Sequence, residues 1–118
     1  MSQDSLIGCW RMIKAEGDVE TGERVEMEFE PSGRLVYGIL HGSDRWQLMI
    51  LTYRVDGDVL ISDQPSHPRE ERSRFFFPEH DVLCLEQPDN KSLFERIETR
   101  GFSLPEKKTL LQRLGFKK

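Results

Sequence analysis

Apolar and polar residues alternate along most of this chain, in short runs separated by turn-forming residues. The run at residues 24–30 is the clearest, because Val25, Met27 and Phe29 fall on one face and the intervening glutamates on the other. A period of two is typical of a strand with one buried face. Antiparallel sheets commonly bury one face and expose the other. The pattern therefore predicts a mainly β, antiparallel fold, with the acidic residues between 16 and 30 facing solvent.

About eight such runs occur before residue 99, and clear turn signals divide them. Pro31-Ser32-Gly33 and Asp56-Gly57-Asp58 each suit a tight hairpin turn, since glycine accepts the positive φ angles such turns need. Pro65 and Pro68 cannot donate to a sheet ladder and mark a loop or edge. The predicted strands cover residues 8–15, 24–30, 34–41, 45–55, 58–62, 71–77, 82–86 and 92–98. Successive hairpins predict an up-and-down meander.

The last part of the chain carries helix signals instead. Ser103 and Glu106 have the spacing of a capping box, and Gly115 suits a helix end. Leu110, Leu111 and Leu114 fall on one helical face. We therefore predict a C-terminal helix at about residues 104–114 that packs on the outside of the sheet.

Composition limits the class of protein. A chain of 118 residues suits one domain, so we predict a single domain over residues 1–118. The net charge of −4 argues against nucleic acid and anionic membranes as partners. The N-terminus has no export signal and the longest apolar stretch is too short for a membrane span, so we expect a cytoplasmic protein. Cys9 and Cys84 are accordingly predicted to be buried thiols.

The first predicted strand opens with Gly8-Cys9-Trp10, and the last contains Arg96. This Gly-x-Trp with a late arginine resembles the lipocalin-like (calycin) family of small bacterial β-barrels, as does the hairpin at residues 29–35. The resemblance implies an antiparallel up-and-down barrel in which the Trp10 ring closes the floor and Arg96 packs across it. A guanidinium over an indole face is favourable by roughly 0.5–2 kcal/mol, which gives the pairing a physical reason.

Several residues are candidates for binding a ligand inside such a barrel. Arg72 and Arg74 share a strand face with Phe76, and would form a clamp for a carboxylate or phosphate if that face points inward. The alternative is that both arginines face solvent while Phe75 and Phe77 fill the core. Tyr37, Trp46 and Tyr53 are further candidate lining residues, although aromatic residues on strands are more often core. The run at 45–55 has two apolar faces that both look buried, so the second face could meet a partner or the C-terminal helix.

Other chemistries find no support in the sequence. His41, His67 and His80 lie in or beside predicted loops, without a second ligand at metal spacing, so neither a metal nor a haem is expected. Neither cysteine has a Cys-x-x-Cys partner, and no enzyme activity or cofactor is predicted. The sequence favours a barrel that binds an apolar or amphipathic acidic small molecule. The alternative is a packed barrel without ligand, acting through its surface as an interaction or structural protein and perhaps as a homodimer.

Overall fold

The computed structural model describes residues 3–17, 24–65 and 70–102. A short 3₁₀ helix at Gln3–Ser5 comes first, and eight strands follow. Their bounds are β1 Gly8–Gly17, β2 Arg24–Phe29, β3 Arg34–His41, β4 Arg45–Asp56, β5 Val59–Asp63, β6 Glu71–Glu79, β7 Val82–Gln87 and β8 Asn90–Ile97. The predicted helix at 104–114 lies outside the described residues.

The strands form one closed antiparallel barrel. Each strand pairs with the next along the chain, and β8 pairs with β1 to complete the circle. The mainly β, up-and-down, eight-stranded architecture predicted from the alternation is thereby confirmed. One end of the barrel, which we call the floor, carries the β2–β3, β4–β5 and β6–β7 turns together with the N-terminal helix. The other end, the mouth, carries the β3–β4 and β7–β8 turns.

The alternation in β2 places its apolar residues inside. Met27 pairs with Trp10 of β1 on one side and with Tyr37 of β3 on the other. Phe29, the last residue of the strand, is fully buried. The same period on the other strands builds one inner core near the floor, formed by Leu6, Trp10, Met27, Phe29, Leu35, Tyr53, Leu60, Phe75, Leu83 and Phe94.

The residues after β8 cross the outer face of the barrel, and we call residues 98–102 the strap. The Arg100 guanidinium donates to Glu28 Oε1 at 2.6 Å, and the Gly101 backbone N–H donates to Glu26 Oε1 at 2.6 Å. Glu26 is only 2% exposed as a result. The prediction that this glutamate faces solvent was wrong, because the strap covers the outer face of β2.

Trp46 also lies under the strap. Its ring centroid is 5.1 Å from that of Phe102, in an outer cluster with Val36, Leu48 and Ile50. The second apolar face of β4 therefore packs outside the barrel. Gly38 makes room for this packing, because a Cβ there would lie 2.6 Å from Phe102 Cε2.

Candidate functional site

The barrel floor is closed by Trp10 and Arg96, which pair across β1 and β8. The Arg96 guanidinium carbon lies 4.3 Å from the Trp10 ring centroid, a cation–π distance. The indole N–H donates to the Leu6 carbonyl at 2.9 Å, which ties the N-terminal segment to the floor. The structure thus places both residues as the resemblance implied.

Gly8 permits this arrangement. Its φ of +127° lies in a region that side-chain-bearing residues rarely adopt. A Cβ at this position would also lie 2.6 Å from Arg96 Nη1. The backbone conformation therefore favours glycine where the chain enters the first strand, and a side chain there would displace the Arg96 guanidinium.

Above the floor, the barrel encloses a cavity of about 720 Å³ that is open towards the mouth. Ligand pockets typically span about 300–1,000 Å³. The deeper wall of the cavity is apolar, and we call it the cup. Its residues are Met27, Phe29, Leu35, Met49, Leu51, Leu60, Leu85 and Phe94.

Polar side chains line the same cavity nearer the mouth, and we call them the rim: Ser62, Gln64, Glu71, Ser73, Gln87, Asp89, Asn90 and Ser92. Three of them form a chain of hydrogen bonds across β6, β7 and β8. Asn90 Nδ2 donates to Gln87 Oε1 at 2.8 Å, and Gln87 Nε2 donates to Ser73 Oγ at 3.0 Å. The site therefore combines an apolar interior with a polar edge, in which Ser73, Gln87 and Asn90 form an uncharged, hydrogen-bonded chain.

The predicted aromatic residues occupy three different environments. Tyr37 lines the cavity, as predicted. Tyr53 is buried in the core with its ring edge-on to Phe29, and its hydroxyl donates to the Glu30 carbonyl at 2.7 Å, in the floor turn. Trp46 packs against Phe102 on the outside of the barrel, so its prediction as a lining residue was wrong.

The arginine clamp is not formed. Phe75 and Phe77 pack into the inner core, so the alternation of β6 turns Arg72 and Arg74 outward. Arg72 lies at the cavity edge, but its side chain is 57% exposed and its guanidinium contacts Glu70 at 3.2 Å. The side chain of Arg74 is 66% exposed and faces Asp58 at 3.6 Å. The alternative, with aromatic residues inside and arginines outside, is the one that the structure has.

The hydrogen-bonded chain of Ser73, Gln87 and Asn90 at the rim was not predicted from the sequence. Gln87 and Asn90 flank the β7–β8 turn, where polar residues are expected for the turn alone. The inward direction of Ser73 could have been predicted, because Ser73 lies two residues before Phe75 and therefore on the same face of the strand. The strand pattern shows which residues of one strand lie on the same face. It does not show which residues of other strands they contact, because that depends on the register between the strands.

Both cysteines are buried and free, as predicted. Burial raises the pKa of the Cys9 thiol, and the neighbouring Glu28 carboxylate raises it further. Burial likewise raises the pKa of the Cys84 thiol. Both groups therefore hold their protons more tightly than an exposed thiol does.

Among residues 3–17, 24–65 and 70–102, no three His, Cys, Asp or Glu side chains are grouped so that they could hold a metal ion. Within the same ranges, no helix has the length and apolar character to cross a membrane.

The fold is similar to that of solved structures, although no protein-family model and no curated protein matches the sequence. A lipocalin-like protein from Bacteroides uniformis ATCC 8492 superposes on 79% of this chain and 99% of its own, with a TM-score of 0.64 and 16% identity. An uncharacterized protein from Bacteroides eggerthii DSM 20697 covers 78% and 99%, with a TM-score of 0.62 and 10% identity. The chain thus has the lipocalin-like barrel fold.

Proposed function

We propose that this protein binds a small amphipathic molecule in the barrel, with the apolar part in the cup and the polar end at the rim. The cavity of about 720 Å³ carries the proposal. An apolar wall is the usual main component of small-molecule sites, and here the deep wall is apolar while about as many polar residues line the part nearer the mouth. A packed barrel, the alternative, would need this space to be filled by the protein's own side chains.

The acidic end group expected from the sequence is not part of this proposal. That expectation depended on Arg72 or Arg74 facing the cavity. Both guanidinium groups contact carboxylates on the outer side of β6 instead. The proposal therefore depends on the apolar cup for binding the apolar part of the ligand. The polar end of the ligand would contact the rim without a pair of arginines to hold it.

Binding can be followed by NMR on protein labelled at the methionine methyl groups. Met27 and Met49 line the cavity. Met12 packs against the core but does not line the cavity, so its signal serves as an internal reference. We expect eight-carbon alkyl probes to shift the Met27 and Met49 signals in a saturable way. Met49→Trp should weaken binding, measured by the Met27 signal, because the larger ring occupies part of the cup.

Thr52→Trp is the matched control, since it places the same ring at an exposed position on the same strand. This variant should bind like the wild type. The proposal fails if no alkyl probe shifts the Met27 and Met49 signals of the wild type, and the packed barrel then becomes the better account. It also fails if Met49→Trp and Thr52→Trp bind equally well.

A further inference from the structure

The hydrogen-bonded chain of Ser73, Gln87 and Asn90 lies where the cup meets the rim. Ser73 pairs with the buried Leu60 of β5, and the next inward residue on its strand is the core residue Phe75. Ser62 pairs with Glu71, one inward-facing position closer to the mouth. The Ser73 hydroxyl is therefore among the first polar groups that a ligand leaving the cup would meet.

This polar chain is uncharged and already ordered. Ser73 Oγ accepts from Gln87, which accepts from Asn90. A hydroxyl can donate and accept at the same time, so Ser73 can offer its own O–H to a ligand. Successive hydrogen bonds of this kind polarise one another, which strengthens the last bond of the chain.

The formal charges around the chain are unfavourable to an anion. The cavity lining includes two carboxylates, Glu71 and Asp89, and one guanidinium, that of Arg72. Arg72 contacts Glu70, and Arg74 contacts Asp58. The net charge of the whole chain is also negative, at −4. A carboxylate placed at the rim would meet like charges and would lose part of its hydration.

We propose that the site selects amphipathic ligands with an uncharged polar end, such as an alcohol or an ester, and that the Ser73 hydroxyl contacts that end. Carboxylate ligands of the same chain length are disfavoured. This inference rests on the proposed binding function and adds the class of ligand to it.

Two probes with the same number of acyl carbons test the selection, namely octanoate and methyl octanoate, titrated at neutral pH with the methionine signals as readout. Their chains make the same apolar contacts, so any difference reports the end group. We expect the ester to bind about tenfold to a hundredfold more tightly than the anion. If neither binds, the binding function itself fails. If octanoate binds as tightly as the ester, binding stands and the selection is wrong.

Ser73→Ala tests the proposed contact. We expect it to weaken methyl octanoate binding about three- to tenfold, the loss of one uncharged hydrogen bond. Ser32→Ala, in the exposed floor turn, is the matched control and should leave binding unchanged. An unchanged methionine spectrum of the free Ser73→Ala variant shows that the cup is intact. Equal affinities for wild type and Ser73→Ala would overturn the role of Ser73.

Gln64→Arg tests the charge argument in the opposite direction. Gln64 lies at the rim, so a cation there should attract the octanoate carboxylate. We expect octanoate to bind about tenfold more tightly to this variant, while methyl octanoate changes little. If the two probes gain equally, or if neither changes, the charge at the rim does not set the selection.

Discussion

The Arg96 guanidinium covers the Trp10 ring and at the same time holds the N-terminal segment at the barrel floor. Arg96 Nη1 donates to the Ile7 carbonyl at 2.9 Å, and Nη2 donates to the Ser5 carbonyl at 3.1 Å. Its Nε donates to the Asp81 carboxylate at 2.8 Å. One side chain thereby links the first strand, the last strand, the β6–β7 turn and the segment before β1.

Replacing Arg96 by methionine should destabilise the protein by about 2–3 kcal/mol. The variant keeps an apolar contact with Trp10 but loses the cation–π contact and the charge-assisted hydrogen bonds. Because the guanidinium is partly solvated, these interactions contribute less to the free energy of unfolding than they would in a fully buried site. Urea unfolding monitored by tryptophan fluorescence measures the change. Arg96→Lys should recover less than half of the loss, because an ammonium cannot reproduce the planar fork.

Arg54→Met is the control for removing an arginine from the barrel. Arg54 is exposed and its ion pair with Glu70 spans 3.6 Å, so the variant should change stability by less than about 0.5 kcal/mol. Equal midpoints for the Arg96→Met and Arg54→Met variants would show that Arg96 contributes nothing special to the floor.

The packing of Phe102 on Gly38 predicts a coupled pair of substitutions. Gly38→Ala alone should destabilise the protein, because the new Cβ meets the Phe102 ring. Phe102→Ala alone should cost about 3 kcal/mol, as the truncation of a buried aromatic residue does. In the Phe102→Ala background, Gly38→Ala should be close to neutral, because the ring that it clashes with is absent.

A double-mutant cycle in urea measures this coupling. The losses of unfolding free energy in the two single variants should add up to at least about 1 kcal/mol more than the loss in the double variant. If the losses of unfolding free energy are additive, the Phe102 ring does not restrict the side chain at position 38, contrary to the packing in the structure.

Thiol chemistry provides a test of the strap. Cys9 lies beside the backbone of Arg100, and burial raises the pKa of the thiols of Cys9 and Cys84. Both should therefore react slowly with Ellman's reagent in the folded protein, and rapidly after unfolding. Phe102→Ala should speed the reaction of Cys9. Cys84 is the internal control, because it lies on β7, whereas the contacts of the strap described above are with β1, β2, β3 and β4.

The raised pKa values also predict a dependence of stability on pH. The folded state holds the thiol protons to higher pH than the unfolded state does, so stability is retained below the unfolded thiol pKa of about 8.5 and falls as pH rises above it. A Cys9→Ala, Cys84→Ala variant should lose less stability than the wild type over this range. If both proteins show the same slope between about pH 8 and pH 10, other groups cause the dependence.

The strand pattern predicted the fold because each hairpin carries its own signal. Val25, Met27 and Phe29 define an inner face without reference to any other strand. The same reasoning could not choose a face for β6, since Phe76 lies on one face and Phe75 and Phe77 on the other. The packing of neighbouring strands decides between them, and with it the direction of both arginines.

The outer surface was less predictable than the interior. Alternation indicates that Glu26 points away from the core, but it does not show that a later segment covers it. It also could not choose a face for Trp46, because the run at 45–55 is apolar on both faces. The strap is brought there by the barrel geometry, through contacts between residues distant in sequence. The rim depends likewise on Gln87 and Ser73 being brought together across β6 and β7.

The pairing of β1 with β8 also affects the order of folding. Cys9 lies opposite Ile97, so the seam that closes the barrel joins opposite ends of the described chain. Contacts of such large sequence separation form late, and β topologies dominated by them fold on timescales of about milliseconds to seconds. While the chain is being synthesised, one edge of β1 has no partner until β8 emerges. An incomplete chain therefore presents open strand edges, which are the surfaces most prone to pair with a second molecule.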